Sequence, residues 1–216
     1  MESKTKFRLT PELITALVHR AFGERTRIQR WDELHGGCFN SAYRLLLNEG
    51  AVDAVLKISP PDESRTLAYE RGLMRTEVEV LRMLSGIKGV PVARLYHADL
   101  ERDLIPCDWF FAETIPGQTW NLVQGGLSTA QNDRILRSLG RVQLSINSVK
   151  GGQFGLFPAS GRPPFPTWRE AFLDMMGVLL ADADRHQAQL PLPLGQVSGL
   201  VRSHAGALAQ VTEPRL

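Results

Sequence analysis

Cysteine is nearly missing from the sequence: Cys38 and Cys107 are the two present, far apart and outside any Cys-x-x-Cys or Cys/His spacing. Neither a disulfide framework nor a structural zinc site is suggested, and reduced thiols in a cytoplasmic protein are the expectation. Long apolar runs are also lacking. No stretch reaches the roughly 18 apolar residues that a membrane helix needs, and the opening Met1-Glu2-Ser3-Lys4 is polar, so neither a membrane nor a secretory leader is expected. Charge of one sign is nowhere concentrated. The 25 basic and 23 acidic residues are intermixed, for a formal charge of +2, without the basic block that binding a phosphate backbone requires, and nucleic acid is not an expected partner. Repeats and low-complexity tracts are absent as well. What remains is a globular composition: 216 residues, 43% hydrophobic and 22% charged, enough to bury a core in one large or two small domains.

Thr10-Pro11-Glu12 supplies an N-cap, a proline at the first helical position and an acid in the first turn. Leu13, Leu17 and Ala21, with Ile14, Val18 and Phe22, repeat at helical spacing and predict a helix to Gly23. From Arg27 to Ile58 the texture alternates through Phe39, Tyr43, Leu45 and Leu47, turns at Asn48-Glu49-Gly50 and continues as the apolar run Val52–Ile58, which predicts strands joined by a hairpin. Pro60-Pro61 breaks the chain. Leu67, Met74, Val78, Leu81 and Leu84 then predict one helix ending near Gly86, followed by strands over Val92–His97 and Cys107–Ile115. Residues 1–115 therefore predict an α+β unit with an antiparallel sheet.

Beyond a connecting segment, 116–126, the pattern becomes helical over 127–216. The capping box Ser128-Thr129-Ala130-Gln131 leads Ile135, Leu139, Val142 and Ile146 to a stop at Gly151-Gly152. A second box, Thr167-Trp168-Arg169-Glu170, opens a helix carrying Phe172, Met175, Met176, Leu179 and Ala183, and a last helix is expected over about Leu194–Ala209. Gly152–Pro166 reads as an irregular loop.

Chemistry-bearing residues concentrate in the first half. His35-Gly36-Gly37-Cys38-Phe39-Asn40-Ser41 lies between two strand candidates, where glycines let backbone N–H groups approach a phosphate, although a plain Gly-Gly turn fits too. Lys57 ends an apolar strand, an unfavourable place for an ammonium unless it reaches solvent or an anion. Glu77, about twenty residues on, stands on the next helix; Glu79 points away from it and Glu70 is the rival partner on the same face. A glycine loop, a strand lysine and a helix glutamate in this order form the arrangement in which a carboxylate holds an ammonium against nucleotide phosphates. The strand Trp109-Phe110-Phe111-Ala112-Glu113-Thr114-Ile115, broken by Pro116-Gly117, could offer backbone groups to an adenine edge. His19, His97, His186 and His204 have no second ligand at helical spacing, and His35 only borders the glycine loop.

In this order and at these separations, the four elements resemble the aminoglycoside phosphotransferase and fructosamine-kinase-like family of protein-kinase-like folds. The resemblance implies a sheet-rich N-terminal lobe and an incomplete helical C-terminal lobe, Mg2+ and ATP as cofactors, and a small-molecule hydroxyl as acceptor. Carried over, the nucleotide-binding residues are Gly36, Gly37, Asn40 and Ser41 in the loop, the Lys57 and Glu77 pair, and Glu113 and Ile115 in the linker. Phe154-Gly155-Leu156-Phe157 and Phe165–Leu173 are similar to the family's segment before its catalytic loop, whereas Gln143-Leu144-Ser145 departs from the Leu-His pair of many members. The family's catalytic aspartate and metal ligands are expected beyond Leu216, so no catalytic or metal-binding residue is assigned and the chain by itself is expected to be inactive. Asp174 and Asp182 are the carboxylates to consider should transfer occur, and the apolar helix faces could support self-association. The competing expectation is a non-catalytic nucleotide- or partner-binding module.

Overall fold

The computed structural model describes residues 7–35, 37, 39–61, 66–157 and 161–216. Among them no helix is long and apolar enough to cross a membrane. The chain divides into two compact units, Met1–Pro61 with Glu77–Ile146, and Asp62–Thr76 with Asn147–Leu216.

In the first unit, helix α1 (Pro11–Phe22) starts where the Leu13 N–H donates to Thr10 Oγ1 at 3.3 Å and stops at Gly23, whose φ of 94° is the left-handed backbone that glycine adopts freely. Strands β1 (Ile28–Glu33), β2 (Ser41–Leu47), β3 (Val52–Ile58), β4 (Leu95–Asp99) and β5 (Trp109–Glu113) form one antiparallel sheet in the order β1-β2-β3-β5-β4. Alternation along each strand sorts side chains to two faces. On one face Tyr43, Leu45, Leu47, Ala54, Leu56, Ile58, Trp109 and Phe111 pack with Ile14, Leu17 and Val18 of α1 in a single core. Full burial of such a side chain contributes about 1.5–3 kcal/mol, so this face carries much of the unit's stability.

The opposite face receives helix α2 (Leu73–Leu84), whose Val78 is fully buried. The helix begins later than the apolar repeat predicts. Gly72, at φ 69°, interrupts the run, and Leu67 instead is the extended residue that leads into a 3-10 turn over Ala68–Glu70. Strand β4 likewise starts at Leu95 rather than Val92, just beyond Pro91, whose missing N–H suits a connection better than a ladder. A short helix α3 (Trp120–Val123), not evident in the sequence, precedes α4 (Thr129–Ile146). The Ser128 capping box closes as expected: the Gln131 N–H donates to Ser128 Oγ at 3.3 Å and the Ser128 N–H to Gln131 Oε1 at 2.8 Å.

In the second unit, α5 (Trp168–Arg185) opens with the Glu170 N–H donating to Thr167 Oγ1 at 3.2 Å. It continues to α6 (Leu194–His204) and a 3-10 stretch over Ala205–Gln210, which shortens the helix expected to reach Ala209. Gly152–Pro166 is tied by a bridge between Phe154 and Phe165, and Phe154, Trp168 and Phe172 form a row of rings 6.3 and 5.9 Å apart. Asp182, 6% exposed, accepts from the Ala68 N–H at 2.6 Å and pairs with Arg185 at 2.8 Å.

Candidate functional site

Strand alternation turns Lys57 away from the core that holds its neighbours Leu56 and Ile58. Its stem lies on the α2 face, and its ammonium donates to both carboxylate oxygens of Glu77, at 2.5 and 2.7 Å. Phe110, directly opposite Lys57 in the β3–β5 register, presents its ring 5.6 Å from Nζ, a cation–π contact beneath the ion pair. Phe110 is buried, yet the side chains of Lys57 and Glu77 keep 29% and 36% exposure, so the cation is fixed without being sealed from solvent. The rival carboxylates are engaged or turned away. Glu70 accepts from the Leu67 N–H at 2.8 Å, and Glu79 is exposed.

Small apolar residues, Ala42, Val55 and Ala112, stand near Lys57 on this face. Ala42 stands opposite Lys57, and Val55 stands opposite both Arg44 and Ala112. Further along, Arg44 clasps Asp53 with two bonds, of 3.0 and 2.6 Å, and that guanidinium holds the Asp53 carboxyl below its ordinary value. The β5 exit is fixed by backbone bonds: the Glu113 N–H donates to Arg94 O at 2.8 Å and the Thr114 N–H to Asp53 O at 3.1 Å. Glu113 is exposed and accepts weakly from the Arg94 N–H at 3.3 Å, while Ile115 is 65% exposed.

The glycine loop is brought together only in part. Gly36 lies outside the described residues. Gly37 has no left-handed φ, and an added Cβ would meet nothing closer than Asn40 O at 3.9 Å, so neither conformation nor space demands a glycine there. Asn40 Oδ1 is buried with no hydrogen-bond partner. Ser41 faces the other way: opposite Ile58 and 1% exposed, it donates its hydroxyl to Phe7 O at 2.8 Å, which commits it to holding the segment before α1. His35 is largely exposed, 4.0 Å from Glu33.

The contact of the Phe110 ring with Lys57 and the Arg44–Asp53 clasp are not foreseeable from residue spacing. Both depend on cross-strand register, which residue spacing along one strand does not contain; the available signal was alternation, since Lys57, Val55 and Asp53 share a parity on β3. Equally unforeseen is Asp108, fully buried at the entrance to β5, which Arg102 holds with two bonds of 2.8 and 2.9 Å. The Cys107 thiol beside it is pushed up to about 11 by burial, an inert group rather than a nucleophile.

No curated protein sequence matches the chain. Among solved structures, a candidate fructosamine-3-kinase from Haemophilus somnus is similar with a TM-score of 0.62 at 15% identity, over 92% of this chain and 61% of that one. A candidate aminoglycoside phosphotransferase from Ralstonia eutropha gives a TM-score of 0.55 at 17% identity, over 85% of this chain and 50% of the other. A thermostable mutant of aminoglycoside phosphotransferase APH(4)-Ia, in ternary complex with AMP-PNP and hygromycin B, gives 0.52 at 16% identity, over 76% and 49%. The chain thus spans about half to three-fifths of the length of these structures, and its fold is the α+β, protein-kinase-like one they share. Residues 30–202 match the phosphotransferase enzyme family, a span that takes in β3, α2 and β5 with Lys57, Glu77 and Glu113 upon them. On that match the chain belongs to the phosphotransferase enzyme family.

Proposed function

We propose that this chain carries the nucleotide-holding part of an ATP-dependent phosphotransferase acting on a small-molecule hydroxyl. The observation that carries the reading is the Lys57–Glu77 ion pair, a half-exposed ammonium fixed over the Phe110 ring. ATP supplies the transferable phosphoryl group when bound. Lys57 would hold its α- and β-phosphates while Glu77 keeps the ammonium in place. Ala42 and Val55, both partly exposed, give this face small apolar side chains suited to a purine, with the backbone at Glu113 and Ile115 at its edge. The residues present fit such a ligand: the part-exposed Lys57 ammonium answers phosphate charge, and the small side chains beside it leave room for the base.

The reading assigns no general base and no metal ligand to the described residues. Asp174 is held by Arg162 at 2.5 Å, and Asp182 is buried against Ala68 and Arg185, so both carboxylates have structural employment. Among the described residues no group of three or more His, Cys, Asp or Glu side chains is arranged to hold a metal, and no step is assigned to Mg2+ here. Accordingly the 216 residues alone would bind Mg-ATP in the millimolar range or more weakly, about 4 kcal/mol or less, and would not transfer phosphate. The alternative of a non-catalytic nucleotide-binding module draws on the same two committed carboxylates.

The test is an ATP-consumption assay on the purified chain with a panel of amino-sugar and other hydroxylated acceptors, beside calorimetry of Mg-ATP binding. Weak heats lost in Lys57→Ala, without turnover, are expected. Turnover that Asp174→Asn or Asp182→Asn abolishes would overturn the assignment of those carboxylates.

A further inference from the structure

A second concavity of the first unit lies between the last turn of α2 and the edge strand β4, with a volume of about 720 Å³. Its floor is apolar: Leu81 from α2, Val90 and Val92 from the connection, Leu95 and Ala98 from β4. Its rim is cationic. Arg82 and Arg94 are exposed and make no ion pair among the described residues, and the lining contains no acidic side chain. The Arg94 guanidinium lies 4.6 Å from the centroid of the Tyr96 ring, a contact that holds it in place before anything binds. His97, also in the lining, has a buried Nε2 with no hydrogen-bond partner.

We propose that this groove docks an acidic, amphipathic segment of a partner protein, its carboxylates meeting Arg82 and Arg94 and its apolar side chains covering Leu81, Val92 and Leu95. Charge complementarity selects the acid, since Arg82 and Arg94 flank an apolar floor whose lining holds no carboxylate, the Glu113 carboxylate that Arg94 feels lying outside it. The exposed rim selects an extended ligand, because a small-molecule site encloses most of its occupant, whereas Arg82, Ser85, Pro91 and Arg94 stand open along this one. Docking works through side chains rather than by adding a strand. The register of β4 shifts between Leu95 and His97, and such an irregularity spoils the ladder that an added strand would continue.

Occupancy bears on the nucleotide pair. Leu81 stands one turn beyond Glu77 on α2, and Ala98 and Leu95 are opposite Phe110 and Ala112 in the β4–β5 register. An occupant wedged on Leu81, Leu95 and Ala98 therefore steadies both the helix that presents Glu77 and the strand that presents Phe110. This coupling rests on the nucleotide reading; the docking itself does not.

The experiment selects a displayed library of random dodecapeptides on the full chain and measures the recovered peptides by fluorescence anisotropy against the parent, Arg82→Glu/Arg94→Glu and Arg82→Gln/Arg94→Gln. Peptides mixing Glu or Asp with apolar residues are expected, weakened about tenfold or more by either arginine double variant. Bound peptide should raise the affinity for a fluorescent ATP analogue by about fivefold or more in the parent. Recovery of no acidic consensus, or equal binding to the charge-reversed variant, would overturn the docking site. So would light scattering that shows a dimer abolished by Arg82→Glu/Arg94→Glu, which would make the occupant a second copy. Peptide binding without any change in analogue affinity would overturn the coupling. Failure of the analogue to bind the parent at all would sink the nucleotide reading and leave the docking result standing.

Discussion

The two faces of the sheet are made from the same strands and do different work. On β3, Leu56 is buried in the core with α1, while the next residue, Lys57, meets Glu77 of α2. On β5, Phe111 belongs to the core and Phe110 underlies the ammonium. One face is closed by apolar packing throughout. The other mixes small side chains with a half-exposed ion pair and the Arg44–Asp53 clasp, which leaves a surface available to a ligand. Neighbouring residues on β3 and β5 thus face the core and the site in alternation, so a variant's effect on nucleotide affinity should be assignable by parity.

The largest effect should come from the paired substitutions Phe111→Ala and Phe110→Ala. Both rings are essentially buried, so each should lower unfolding free energy by about 3–5 kcal/mol in denaturant titrations. They should differ in nucleotide affinity measured well below the unfolding midpoint, which Phe110→Ala alone reduces. Equal loss of affinity in both would break the division between faces.

A pH dependence of intermediate size belongs to His97 on the edge strand β4. Burial lowers the His97 pKa, the Asp99 carboxylate opposes that shift, and Arg20 adds to it. A depressed folded value means the unfolded chain takes up the proton first. The stability is therefore full above about 6.5, the ordinary histidine value, and is lost as pH falls toward the depressed value. Thermal unfolding across that window should show the decline, and His97→Phe should flatten it. A slope unchanged by the substitution would assign the effect to other groups.

The smallest effect is expected on the site face. Asp53→Asn removes the charge that Arg44 clasps; because this pair is partly exposed, the loss should be about 0.2–1 kcal/mol. The lowered Asp53 value places its contribution above the ordinary carboxylate range, and it disappears as acid protonates the group in the folded state. A loss of several kcal/mol would show that this clasp bears far more of the fold than its exposure implies.

Much of this fold was legible because its signals are local. Thr10 and Gly23 bound α1, Ser128 and Thr167 cap their helices, and Asn48–Gly50 turns the hairpin, each through bonds spanning a few residues. The start of α2 was misread since an apolar repeat continues through Leu67 while Gly72 breaks the backbone beneath it. The pairing of Lys57 with Glu77 was legible from order and spacing; the ring under it was not, because Phe110 reaches Lys57 only through the β3–β5 register. Ser41 shows the converse. Adjacent in sequence to Asn40, it is turned by the pleat into a bond with Phe7, a partner 34 residues away.

The most direct test of the two-face account is an amide NMR titration of the isotopically labelled chain with Mg-ATP, repeated on Lys57→Ala. Shift changes should appear at Ala42, Val55, Lys57, Glu113 and Ile115, spare Ile14 and Leu17 of α1, and vanish in the variant. Perturbations centred on α1, or a pattern retained in full by Lys57→Ala, would contradict the assignment of nucleotide binding to the Lys57 face.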